Sequence, residues 1–201
     1  MPESPKIAII YYSATGVVRR LATEISAGAE AAGAEVRVRK VHELAPEQAI
    51  TGNEAWAANR DATADVPEAT AEDVLWADAV IFGSPTRYGN VSSQLKQFID
   101  SLGPQWGAGL LADKVYSGFT ASSTTHGGQE STLLALYNSV HHFGGFIVTP
   151  GYTDPVKFAD GNPYGTSAYG DTVSDQVAES ARYQGARISK VTAAFVAGRT
   201  S

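Results

Sequence analysis

The chain has 201 residues, 43% hydrophobic and 18% charged, with a formal net charge of −6. This composition suits a globular protein with a large core, and the absence of cysteine excludes disulfides, thiolate metal sites and thiol chemistry. The acidity is concentrated between Glu43 and Asp78, which hold nine acidic residues and one basic, and no basic stripe suits a nucleic-acid backbone, so none is expected as a partner.

No basic flank and long apolar run precede the first strand pattern, so the chain is expected to lack an integral membrane segment and to stay in the cytoplasm. Lys6 to Tyr12 is a near-continuous apolar run rich in Ile and Tyr, as in a buried parallel strand. A short loop follows, Ser13, Ala14, Thr15, Gly16, Val17 and Val18. Then Val18, Leu21, Ala22, Ile25 and Ala29 recur at helical spacing, with a stop at Ala32-Gly33. Glu35 to Val41 alternates strictly between apolar and charged residues and is expected at an edge of the sheet. Residues 43–77 are long for one connection; Thr70-Ala71-Glu72-Asp73 marks a short helix start, and Trp56 is a candidate anchor for the rest. Ala79 to Phe82, Val115 to Phe119 and Gly145 to Val148 are apolar runs expected inside the sheet. Helical patterns separate and follow them, through Val91, Leu95 and Phe98, through Leu133, Leu134 and Tyr137, and through Ala181, Ile188 and Phe195. Residues 149–173 form a long loop with several aromatics, expected to serve as a lid or partner surface.

Alternating strands and helices imply an α/β fold with a parallel sheet covered on both faces. Five strands with the second at an edge fit the order 2-1-3-4-5, a flavodoxin-like three-layer sandwich in one domain, with residues 43–77 as an insertion. Ligands of such sheets bind beyond the strand C-termini. Three loops there are candidates. The first combines hydroxyls with a helix N-terminus, whose free N–H groups and dipole hold a phosphate. It lacks a P-loop lysine and the three-glycine dinucleotide spacing, so flavin mononucleotide (FMN) is the leading ligand. The second loop contains Pro85, Thr86, Arg87, Tyr88, Gly89 and Asn90, offering a stiff backbone, an aromatic face and a guanidinium fork. The third, with Ser122, Ser123, Thr124, Thr125, His126 and Gly127, opens another helix, where a hydroxyl also serves as a simple cap. No histidine pair has metal-ligand company, and Ser84, His142 and Asp154 lack the Gly-x-Ser-x-Gly elbow of a hydrolase.

Tyr11-Tyr12-Ser13-x-x-Gly16, the Pro85 to Asn90 loop, Trp106, Gly127-Gly128-Gln129-Glu130, His142, Asn162-Pro163-Tyr164-Gly165 and Ala181-Arg182-Tyr183-Gln184-Gly185 together resemble the tryptophan-repressor-binding-protein family of NAD(P)H:quinone oxidoreductases. The resemblance spans nearly the whole chain. It implies non-covalent FMN, NADH or NADPH as reductant, two-electron reduction of quinones, and a homotetramer. By position it implies that residues 13–18 wrap the FMN phosphate, Thr86 to Tyr88 line the isoalloxazine, and Ser122 to Gly127 finish the pocket. His142 would approach the flavin as a catalytic group, while Trp106 and Tyr88 would shape the substrate slot. Val17 stands where the family often has histidine, and Thr15 replaces an aromatic residue found in some members. The rival reading is a one-electron carrier of the flavodoxin type, favoured by the acidic stretch.

Overall fold

A computed structural model describes residues 4–199. In chain order the elements are β1 (Lys6–Tyr11), α1 (Val17–Ala31), β2 (Glu35–Lys40), α2 (Glu47–Thr51), α3 (Glu54–Ala62), α4 (Ala71–Trp76), β3 (Ala79–Pro85), α5 (Ser93–Ser101), α6 (Gly103–Gly107), β4 (Val115–Ser122), α7 (Gln129–Phe143), β5 (Phe146–Ile147), α8 (Pro155–Asp160), β6 (Ser167–Tyr169) and α9 (Asp175–Arg199). The strands form one parallel sheet in the order β2-β1-β3-β4-β5, with β6 also paired to β4. The flavodoxin-like order read from the strand patterns is therefore the observed one.

Strand periodicity divides β1 between two cores. Ile7, Ile9 and Tyr11 pack in the cluster that contains Val18, Leu21 and Ile25 of α1 and Ala181 and Ile188 of α9. Ala8, Ile10 and Tyr12 pack with Leu95, Phe98 and Ile99 of α5 and Leu133, Leu136 and Tyr137 of α7. On the first face α1 and α9 meet almost backbone to backbone. A Cβ at Gly28 would lie 1.9 Å from the Arg182 carbonyl oxygen, and one at Gly185 would lie 2.0 Å from that of Ile25, so only glycine fits either position.

Two expectations are corrected. Gly145 to Val148 does not lie inside the sheet: β5 has two residues, pairs only with Val115 and Tyr116, and leaves Phe146 half exposed. Residues 149–173 are more than a loop, since they contain α8 and then β6, which pairs with Thr120 to Ser122 and so prolongs the β5 edge of β4. Residues 43–77 carry α2, α3 and α4, the last started by the Thr70/Asp73 capping box expected there. No described helix is long and apolar enough to cross a membrane.

Candidate functional site

The β1 loop is shaped by Ser13 and Gly16. The Ser13 hydroxyl accepts from the Gly16 and Arg19 amides at 3.2 Å each, which turns the chain into α1. Gly16 caps that helix at φ 101°, a left-handed conformation that costs an L side chain about 1–2 kcal/mol. The β3 loop folds back through the Arg87 amide, which donates to the Asn90 carbonyl at 2.7 Å. At its tip Tyr88 has φ 54° and stands fully exposed, strain of the kind that collects at functional sites. Thr86 joins the loops: its amide donates to the Ala121 carbonyl, and its hydroxyl takes a 2.8 Å bond from Thr132 of α7. In the β4 loop the Ser122 hydroxyl and the Gln129 side chain donate to the Thr124 carbonyl.

These loops enclose one cavity of about 190 Å³ at the C-terminal edge of the sheet. Its walls are Ser13, Ala14, Thr15, Val17 and Val18 from the first loop, Pro85, Thr86 and Arg87 from the second, and Ala121, Ser122 and Ser123 from the third. Tyr88 and Asn90 stand exposed on the second loop beside the half-buried Gly89, while Thr124, Thr125 and His126 are exposed ahead of Gly127 in the third. Gly170 and Asp171 complete the wall and were not anticipated; the Gly170 amide donates to the Ser122 carbonyl at 2.9 Å, just beyond β6. A three-residue strand is too short for its periodicity to register, so no local signal pointed to them.

Within one chain His142 and Trp106 are not brought to this cavity. The Trp106 indole donates to the His142 carbonyl at 2.7 Å, and the two line a separate groove with Ile99, Leu102 and Phe143. That groove is at the far ends of α5 and α7, which run away from the loops for 9 and 15 residues, roughly 13 and 20 Å. The approach of His142 to the flavin, and a slot between Trp106 and Tyr88, therefore do not form within this chain.

Glu43 ties α3 to the end of β1 and to α5. Its carboxylate accepts from the Tyr12 hydroxyl at 2.9 Å, the Trp56 indole at 3.1 Å, the Gln94 amide at 2.8 Å and the Leu44 and Ala45 amides at 2.9 Å. Burial opposes ionisation of Glu43, but the bonds from Ala45, Gln94, Tyr12 and Trp56 outweigh it and hold its pKa below the ordinary glutamate value. Burial, reinforced by Glu43, pushes the Tyr12 phenol upward. Because the folded-state pKa is depressed, this stabilisation is complete above the ordinary glutamate pKa and is lost as pH falls through the folded value. Glu43→Gln should accordingly lower stability by roughly 1–2 kcal/mol at pH 7, allowing for solvent screening, with the gap closing in acid. Thermal melts of both proteins between pH 7 and 3 check this; a pH-independent gap would remove the charged role.

The sequence model of a family described as NADPH-dependent FMN reductase matches residues 5–154. The chain belongs to that family. The match spans all three loops, including the 13–18, 85–90 and 122–127 segments. Relatives named NAD(P)H dehydrogenase (quinone) match over nearly full length. That of Deinococcus radiodurans is 47% identical, covering 96% of this chain and 98% of its own, and that of Sinorhizobium fredii is 42% identical, covering 94% and 97%. Among solved structures, a flavodoxin, WrbA-like protein from Agrobacterium tumefaciens superposes with a TM-score of 0.68 at 28% identity, covering 94% of this chain and 98% of that one. An archaeal flavodoxin, at 16% identity and a TM-score of 0.61 over 93% and 98%, shares the fold.

Proposed function

We propose that the protein is an FMN-dependent NAD(P)H:quinone oxidoreductase, reducing quinones to hydroquinones by two electrons with NADH or NADPH as reductant. The observation that carries this reading is the single cavity into which the loops after β1, β3 and β4 open, with a helix N-terminus and hydroxyls on one wall. FMN held there would supply the two-electron redox chemistry between nicotinamide and quinone. The chain's own residues bind and orient. Ser13 and Thr15 offer hydroxyls, and the start of α1 offers amides, to the phosphate. Thr86, Arg87 and Tyr88 flank the ring, and Ser122 and Ser123 close the third side. The relatives that match over almost the whole chain carry dehydrogenase names, so a one-electron carrier is not favoured.

The chain is read as one cytoplasmic domain with an insertion at about 43–77, assembling as a homotetramer. Exposed Trp106, Tyr152, Phe158 and Tyr169 support assembly, because large apolar groups left on a protomer surface suit contact with another copy. In that assembly Trp106 and His142 of a neighbouring copy would complete the substrate slot over Tyr88, with His142 placed to supply a proton to the reduced quinone.

Steady-state oxidation of NADH with benzoquinone tests the activity. With both substrates varied, parallel double-reciprocal lines are expected, since nicotinamide and quinone would use one slot in turn. Intersecting lines, or a one-electron-reduced quinone as main product, would overturn the shared-slot scheme. Trp106→Ala should raise the quinone KM several-fold and leave FMN affinity intact, whereas a fully active monomer in light scattering would remove the tetramer and its contributed residues.

A further inference from the structure

Asn59 of α3 reaches into the base of the phosphate-binding loop from the inserted segment. Its side-chain amide donates to the Ser13 carbonyl at 2.8 Å and to the Ala14 carbonyl at 3.0 Å, across 46 and 45 residues of sequence. The residue is 7% exposed, and its Oδ1 has no hydrogen-bond partner among the described residues. The orientation is dictated, since the opposite one would set an oxygen against two carbonyls. An orphaned buried oxygen costs free energy. The two carbonyl bonds must offset that cost.

The consequence for the loop follows from peptide geometry. A trans peptide is planar, with its C=O and N–H pointing in opposite directions. Holding the Ser13 and Ala14 carbonyls toward α3 turns the Ala14 and Thr15 N–H groups the other way, away from α3; Ser13, Ala14 and Thr15 line the candidate cavity, and no residue of α3 does. The helix that carries Asn59 is itself held at both ends. Trp56 is tied to Glu43, and the Thr63 carbonyl just past the helix takes a 2.6 Å bond from Lys40 at the end of β2.

We infer that Asn59 is a positioning residue for phosphate recognition: by anchoring two carbonyls it aims the loop amides at the phosphate, and through it the inserted segment sets the preference of the site for FMN over riboflavin. This rests on the FMN reading of the cavity. The insertion is then a working part of the cofactor site rather than an appendage to the fold.

Flavin titrations followed by fluorescence quenching test it on wild type, Asn59→Ala and the near-isosteric, neutral Asn59→Leu, which keeps the volume but removes both donors without adding charge. The expected result is that FMN affinity falls about tenfold or more in both variants while riboflavin affinity changes less than about twofold. A loss of packing alone would weaken both flavins together. Circular dichroism identifies any variant that fails to fold, and the near-isosteric variant keeps the comparison open if the alanine variant does. Unchanged FMN selectivity in folded Asn59→Leu, or parallel loss of both flavins, overturns the inference. A wild-type protein that binds FMN and riboflavin equally would instead overturn the phosphate reading itself.

Discussion

Gly16→Val should weaken FMN binding about 100-fold, equivalent to about 2.7 kcal/mol, with little effect on riboflavin. Two costs add. The position has φ 101°, where a β-branched side chain is a genuine outlier and loses more than the roughly 1–2 kcal/mol charged to any L residue. A Cβ there would also stand 3.3 Å from Asn59 Oδ1, the buried oxygen already without a partner, so a valine would press on the residue that holds the loop. Relief requires the loop to move, and its amides then no longer converge where a phosphate would sit. Charge-assisted bonds of this kind are worth roughly 1.5–3 kcal/mol each, so losing one accounts for most of the effect. Gly16→Ala should fall between the two proteins. A valine variant that binds FMN within about threefold of wild type would show that the first loop does not hold the phosphate.

The second large effect concerns stability and lies behind β6. Lys157 has no exposed surface, and the Asp160 side chain it pairs with is 1% exposed. The ammonium also donates to the Ser180 hydroxyl at 2.9 Å, and that hydroxyl donates to Asp160 at 2.7 Å, which locks α8 to α9. Burial pulls the Lys157 pKa down, and Asp160 opposes that shift. Removing one member strands the other charge in the core, so Lys157→Met should destabilise the protein by about 3–5 kcal/mol. For a chain of this size that corresponds to roughly 10 °C in melting temperature. The double variant Lys157→Met/Asp160→Leu should regain most of the loss, since replacing both charges with apolar groups is often neutral. Melting temperatures of the single and double variants decide it. A single variant within about 2 °C of wild type would mean that the pair is solvated.

Strands β1 to β5, helices α1, α4, α5, α7 and α9, and the three candidate loops were legible because each is written locally. Runs such as Ala79 to Phe82, the alternation of Val36 and Val38 with Arg37 and Arg39, and a hydroxyl-rich loop directly after a strand need only a short window of sequence. The capping signal at Thr70 is of the same kind, with its partner three residues away. Once parallel strands alternate with helices, right-handed crossovers leave few ways to wind the sheet, and the loops must meet at its C-terminal edge.

What only the tertiary structure decided involves residues far apart in sequence, or segments too short to carry a period. Asn59 lies in a polar helix with nothing to mark it, and its role exists only because α3 folds back over a loop 45 residues earlier. Gly170 and Asp171 reach the cavity because β6 pairs with the end of β4, a match of three residues. Lys157 and Asp160 look like a solvated i,i+3 pair until α9 covers them. Trp106 and His142 belong to motifs of the resemblance, yet α5 and α7 carry them away from the three loops to a separate groove. Local pattern determined which elements form and where their loops emerge; long-range packing determined which side chains share a space, since burial and hydrogen bonding depend on neighbours that no sequence window contains.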